Sequence, residues 1–269
     1  MKILMIGDVY GSVGRNVIKN ALSQIVNNYN IDIVILNGEN TTHGKSISKE
    51  HYTFYKKLGV DVITSGNHIF RLNEVVGYIS STPDLLRPLN FYTSAPGNGT
   101  YCLEYKNKVI RVTNLMGRSF MDNVNNPYED FDNLLENDDS DIHVVDFHAE
   151  ATAEKIAFAW NYDGKINGLV GTHTHVQTAD NRVLPKGTAF ISDLGMCGSL
   201  NSIIGGNPTE IIQKEKSGLP ARFKPSNDNS LNVFSAVIID VDNKNNKTQS
   251  IERLYITSDN LPNWFKGNL

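Results

Sequence analysis

Three short apolar runs in the first seventy residues each end on side chains that can bind a metal or move a proton. KILMIG (2–7) runs into Asp8, IDIVILNG (31–38) into Glu39 and Asn40, and VDVITSGN (60–67) closes on Asn67 with His68 next. Between them, NVIKNALSQIVNNY (16–29) and SKEHYTFYKKLG (48–59) space their apolar residues as helices do, and a short helix is predicted over 72–80. Strand, helix, strand in this rhythm demands right-handed crossovers and a largely parallel sheet. In such a sheet the carboxyl ends of the strands share an edge, and ligands collect there.

The second half reads differently. GTYCLEYKNKVIRVTNLM (99–116) alternates as two antiparallel strands about residues 106–108, with Asn107 suited to the turn. DIHVVDFHA (141–149) and INGLVGTHTH (166–175) are further strands, separated by a helix near 151–162. TAFISDLG (188–195), SLNVFSAVIIDVDN (230–243) and KTQSIERLYI (247–256) complete a β-rich half. The polar stretches 121–140 and 222–230 read as loops, and with no repeat or linker the expectation is one domain over 1–269.

Bulk properties narrow the class. A 269-residue chain, 40% hydrophobic and 20% charged, can bury a substantial core. A net charge of -4 and a pI near 6.0 argue against a dedicated nucleic-acid surface, while leaving room for a local small-anion site. Cys102 and Cys197 form no disulfide framework and suit a reducing compartment. MKILMIGDV lacks the long apolar core of a signal peptide, and no apolar run approaches the roughly 20 residues of a membrane span. The expectation is a cytoplasmic protein without membrane association.

Five strand ends thus deliver Asp8, Glu39 with Asn40, Asn67 with His68, His148, and His173 with His175. Each alone has an ordinary reading: Asp8 as a helix cap, Asn67 as a turn residue, His148 as a satisfied buried histidine. The His-x-His pair is stronger, because residues two apart on a strand project to one side and could reach a shared ion. Imidazole nitrogen with carboxylate and carboxamide oxygen suits Mn, Fe, Zn or Co, and the lack of thiolate argues against a structural zinc cage. The donors are too many for one ion. Two ions about 3.5–4 Å apart, with Glu39 as bridge, would use them, and could activate a water for in-line phosphoryl displacement. His68 would then be free to protonate a leaving oxygen. Two other classes compete: a regulatory protein that senses a nucleotide with slow turnover, and a dinucleotide-dependent oxidoreductase. The second fails on Gly7, Gly11 and Gly14, whose offsets are wrong for Gly-x-Gly-x-x-Gly.

The blocks GDVY (7–10), NGEN (37–40), GNHIF (66–70), FHAE (147–150) and GTHTH (171–175) resemble, in order, those of the calcineurin-like metallophosphoesterase superfamily. Tyr10 stands where that superfamily has a histidine, and Glu39 where it has the bridging aspartate. Those departures, with GENTTHGKSIS (38–48) and SDLGMCGSLNSIIG (192–205), resemble its YmdB-like bacterial branch over roughly 1–256. The resemblance implies an α/β fold, a four-layer αββα sandwich of two mixed sheets flanked by helices. It implies a dinuclear site, with Asp8, Glu39, Asn40 and His175 around one ion and Glu39, Asn67, His148 and His173 around the other. It also implies phosphodiester hydrolysis, notably of 2′,3′-cyclic nucleotides, through a metal-activated hydroxide, with His68 catalytic. Iron or manganese are the metals implied, zinc being chemically compatible, and relatives often form homo-oligomers. Loops 41–46, 180–182 and 195–206 are taken as substrate walls, with His43 and Arg182 as substrate contacts. Asn40 is expected to fill the coordination gap left by Tyr10.

Overall fold

The computed structural model describes residues 1–269. The chain begins with β1 (Lys2–Ile6), passes Gly7 into the two-residue β2 (Asp8–Val9), and enters α1 (Gly11–Tyr29). Next come β3 (Ile33–Asn37), α2 (Lys49–Lys57), β4 (Val62–Thr64) and the short α3 (Asn73–Val76). A hairpin of β5 (Thr100–Tyr105) and β6 (Lys108–Met116) leads to α4 (Pro127–Leu135), β7 (Ile142–His148), α5 (Thr152–Asn161) and β8 (Gly168–Thr172). The remainder is β9 (Arg182–Val183), β10 (Ala189–Ile191), β11 (Met196–Ser199), α6 (Pro208–Ser217), β12 (Asn232–Val241) and β13 (Thr248–Thr257).

One sheet runs β2-β11-β12-β1-β3-β4 with β13 against β12, and the other runs β5-β6-β7-β8-β10-β9. The β1–β3–β4 and β6–β7–β8–β10 ladders are parallel, while β1–β12 and β5–β6 are antiparallel, so both sheets are mixed. Period-2 burial explains why the central strands read as unbroken apolar runs. Leu4 and Ile6 of β1, Val34 and Leu36 of β3, and Phe234 and Ala236 of β12 face the α1 and α2 side. Their alternates Ile3, Met5, Ile33, Ile35, Val237 and Ile239 meet Ile110, Val112, Val144 and Val170 between the sheets. Val145, Phe147 and Leu169 turn outward against Phe131 and Phe158 of α4 and α5. The layers are helix, sheet, sheet, helix.

Two helices depart from the sequence reading. The stretch 121–140, read as loop, contains α4, started by the Asn126 side chain accepting from Tyr128 N with Pro127 at the first position. Its buried residues are Pro127 and Phe131, too few to show a helical period. Helix α6 is absent from the sequence reading because it buries no residue at all; Asn207 caps it and Gly218, at φ 67°, ends it. α1 also starts five residues earlier than its apolar pattern, at Gly11, whose φ of 60° suits glycine. Asp8 is therefore no helix cap; Tyr10 holds that position.

Candidate metal centre

Asp8 follows β1 across Gly7, Glu39 and Asn40 follow β3, and Asn67 and His68 follow β4; His148 ends β7, and His173 and His175 follow β8. The two sheets aim these strand ends at one place. Glu39, His148 and His173 each offer a ligand atom within 4.8 Å of the others, and so do Asp8, Glu39 and His175. Glu39 belongs to both groups. His148 Nε2 lies 3.2 Å from Glu39 Oε2, 3.0 Å from Asn67 Oδ1 and 3.0 Å from His173 Nδ1. On the other side Asn40 Nδ2 is 3.0 Å from His175 Nε2 and donates to Glu39 Oε1 at 2.9 Å.

His173 and His175 do not share a group. The strand stops at Thr172, and both histidines have positive φ, 108° and 66°, so strand periodicity no longer governs where they point. Non-glycine residues in that region are strained and are held by their surroundings. Here Asp8 Oδ2 accepts from His173 N at 3.2 Å and Asp193 Oδ2 from Thr174 N at 3.0 Å. Asp193 is itself buried in an ion pair with Lys155 Nζ at 2.8 Å.

The electrostatics describe a site built for positive charge. Burial pushes the Asp8 carboxyl well above its usual value. Burial would also raise Glu39, but His148 alongside outweighs it and holds that carboxyl well below. Burial opposes protonation of His148, yet Glu39 and then Asp8 lift it to about 9. Burial, reinforced by His148, pushes His173 down to about 3, so its ring is neutral and keeps one unprotonated nitrogen. Below the cluster, His148 Nδ1 meets Thr172 Oγ1 at 2.9 Å, and Thr172 donates to the buried Asp146 Oδ1 at 2.7 Å. Asn37 also donates to Asp146, at 2.9 Å.

Comparisons with known proteins identify the family. The model of the YmdB-like protein family matches residues 4–254. The chain belongs to that family. It is 41% identical over 263 residues to a 2′,3′-cyclic-nucleotide 2′-phosphodiesterase of Bacillus subtilis (strain 168), covering 97% of this chain and 99% of that protein. Among solved structures it is similar to a novel phosphatase of Mycoplasma pneumoniae, with 40% identity and a TM-score of 0.92 over 100% of this chain and 97% of that one. A hypothetical protein of Thermus thermophilus matches at 35% identity and TM-score 0.90, over 96% and 99% of the two chains. The chain is a phosphoric ester hydrolase of this YmdB-like family, with the two-sheet metallophosphoesterase fold.

The residues fit the divalent metal ions that the family implies. Asp8 Oδ1 is fully buried and has no hydrogen-bond partner, a state that costs about 1–3 kcal/mol and that a cation would relieve. Gly66 keeps the space open: a Cβ there would lie 2.3 Å from Glu39 Oε2 and 2.3 Å from His148 Nε2. Asn40 Oδ1 faces His68 Nδ1 at 2.9 Å, so a half-turn of the amide is what would bring its oxygen to the His175 side.

A cleft of about 610 Å³ covers the cluster, with Tyr10, His68, Glu150, Lys214 and Phe223 in its walls. Tyr10 sits edge-on to His175, centroids 5.4 Å apart. Glu150 Oε2 reaches His173 Nε2 at 3.1 Å. His43 lines an adjoining cavity beside His68. Arg182 lies on β9 at the far edge of its sheet, outside the cleft walls, as does loop 180–182. Arg15 is outside the cleft walls too; its Nη1 donates to Thr41 O at 2.7 Å. Asp146, Asp193 and Glu150 carry no signal as isolated acids in the sequence, and α6 enters the wall from a helix that the sequence pattern does not reveal.

Proposed function

We propose that this protein is a dinuclear-metal phosphodiesterase that opens 2′,3′-cyclic nucleotides or closely related small phosphodiesters. The observation that carries the reading is Glu39, shared between two ligand groups at the floor of the cleft with His68 beside it. The name of the Bacillus subtilis relative supports the substrate class. Asp8, Asn40 and His175 would hold one ion, Asn67, His148 and His173 the other, and Glu39 both. Iron or manganese, the metals that the family resemblance implies, are compatible with this donor set, as is zinc. The ions, when bound, supply Lewis acidity to the phosphoryl oxygens and an activated water.

His68 does the proton work. Its Nδ1 faces the Asn40 amide at 2.9 Å and Glu39 Oε1 at 3.4 Å; with the Asn40 oxygen turned to the His175 side, Glu39 is the partner that keeps the ring in place and leaves Nε2 for the substrate. The ring is about one-third exposed, at 34%, enough to meet a ligand in the cleft. Opening a 2′,3′-cyclic phosphate expels a ribose oxygen as an alkoxide unless a proton arrives, and His68 is placed to deliver it. A proton donor so placed favours turnover over nucleotide sensing. No helix is long and apolar enough to cross a membrane. Both cysteines are free, in keeping with the proposed reducing, cytoplasmic setting. The test is a panel of 2′,3′-cyclic and 3′,5′-cyclic nucleotides with manganese- or iron-loaded protein. Hydrolysis of the 2′,3′ compounds supports the reading; metal-loaded protein inert on all of them refutes it.

A further inference from the structure

A second cavity, of about 750 Å³, adjoins the metal cleft and shares Tyr10, Gly44, His68 and Phe223 with it. Its walls carry Lys45, Arg71, Arg222, Lys224 and His43, and no aspartate or glutamate. That is a local reversal of charge in a chain with 29 acidic against 25 basic residues. Arg71 reaches Asp122 at 3.5 Å and Lys224 reaches Glu210 at 3.9 Å, both outside the cavity walls. Lys45 and Arg222 have no ion-pair partner, and all four Lys and Arg side chains are exposed.

We propose that this basic shelf receives the next phosphate of an oligoribonucleotide whose terminal 2′,3′-cyclic phosphate lies at the metal centre. The inference rests on the cyclic-phosphodiester reading of that centre and extends it. A cyclic mononucleotide has one phosphate, which the metal centre takes, and it would leave the shelf idle. A chain continuing from the 5′ oxygen carries its next phosphate one nucleoside away, and the cations line the cavity that adjoins the metal cleft. Tyr10 and Phe223, common to both cavities, offer aromatic surface for the intervening base. Lys214 Nζ stands 5.0 Å from the Phe223 ring centroid and adds a further cation at that junction. Such ends arise when RNA is cleaved by its own 2′-hydroxyl. The 2′ oxygen–phosphorus bond forms, the phosphorus–5′ oxygen bond breaks, and the proton goes to the departing 5′ oxygen. The reaction class that supplies this substrate is therefore internal transesterification of RNA.

The test is calorimetric titration of the manganese-loaded protein with adenosine 3′-phosphate and with the dinucleotide ApAp. Neither probe contains the scissile cyclic bond, so binding reads the shelf, while hydrolysis of 2′,3′-cyclic AMP by the same samples tests the activity independently. ApAp should bind about tenfold more tightly at low salt, and the difference should shrink as salt rises. The Lys45→Ala/Arg222→Ala double variant, melting as the parent does, should bind the two probes alike. Equal affinity of the parent for both probes, or a preference for ApAp retained in the double variant, would overturn the proposal.

Discussion

Glu39 touches both halves of the site, and its neighbours explain why a glutamate can serve where the wider superfamily resembled in sequence has an aspartate. Its Oε1 accepts from Asn40 and its Oε2 faces His148 Nε2 and accepts from His68 N at 3.2 Å, so each oxygen serves one side. His68 stands apart as the one imidazole of the group that is outside both ligand groups. Replacing His68 by Ala should leave the metal content unchanged and lower kcat on a 2′,3′-cyclic nucleotide by about 10²–10⁴-fold. Loss of metal together with activity would make it a ligand instead. Gly66 tests the same space from the backbone. Gly66→Ala puts a methyl 2.3 Å from Glu39 Oε2, so elemental analysis should find the bound metal reduced, whereas Gly77→Ala, whose nearest neighbour is 3.4 Å away, should retain it. These residues were legible in the sequence because strand ends announce themselves in apolar runs. Both histidines of the GTHTH block do reach the one cleft, each beside Glu39, but through the turn after β8 and not through a strand period, which ends at Thr172.

At the scale of elements, the turn after β8 is the most constrained piece. It places His173 and His175 at positive φ and is held by Asp193, which is paired with the buried Lys155 of α5. Gly195 N also donates to Asp193 Oδ1, at 2.8 Å, so this carboxylate ties two loops together. Lys155→Met would strand that charge in the core and should cost about 3–5 kcal/mol, read by denaturant unfolding. A loss below about 1 kcal/mol would mean that the pair does not hold the turn. Nothing in the sequence paired residues 155 and 193, since ion pairing between distant elements leaves no periodic trace. Helices α4 and α6 escape the sequence for a related reason: one buries two residues and the other none, so hydrophobic period had nothing to report. The central strands were legible because both of their faces are buried.

Across the whole molecule, β7 links the functional edge to the opposite end of the sandwich. His148 closes the strand at the candidate metal centre, while His143 near its start donates or accepts only within a structural knot, with Asp138 Oδ2 at 2.6 Å and Thr113 Oγ1 at 2.8 Å. Burial pushes His143 below its usual value. Burial would raise Asp138, but its hydrogen bonds to His143 and Ser140 hold it far below the usual carboxylate range. In both cases the unfolded chain takes up a proton that the folded chain refuses, so stability rises with pH. The His143 contribution is complete above about pH 7 and declines as pH falls through roughly 6.5, and that of Asp138 is lost below roughly pH 4. The gap in Tm between parent and His143→Gln should therefore narrow between about pH 7.5 and 5; a constant gap would contradict it.

The central claim is that two ions share Glu39, and metal stoichiometry measures it directly. Protein purified after growth with iron or manganese should carry about two transition-metal ions per chain by elemental analysis, with His173→Ala carrying no more than about one and losing 2′,3′-cyclic nucleotide hydrolysis. One ion per chain in the active parent, or full hydrolysis after complete chelation, would contradict the account.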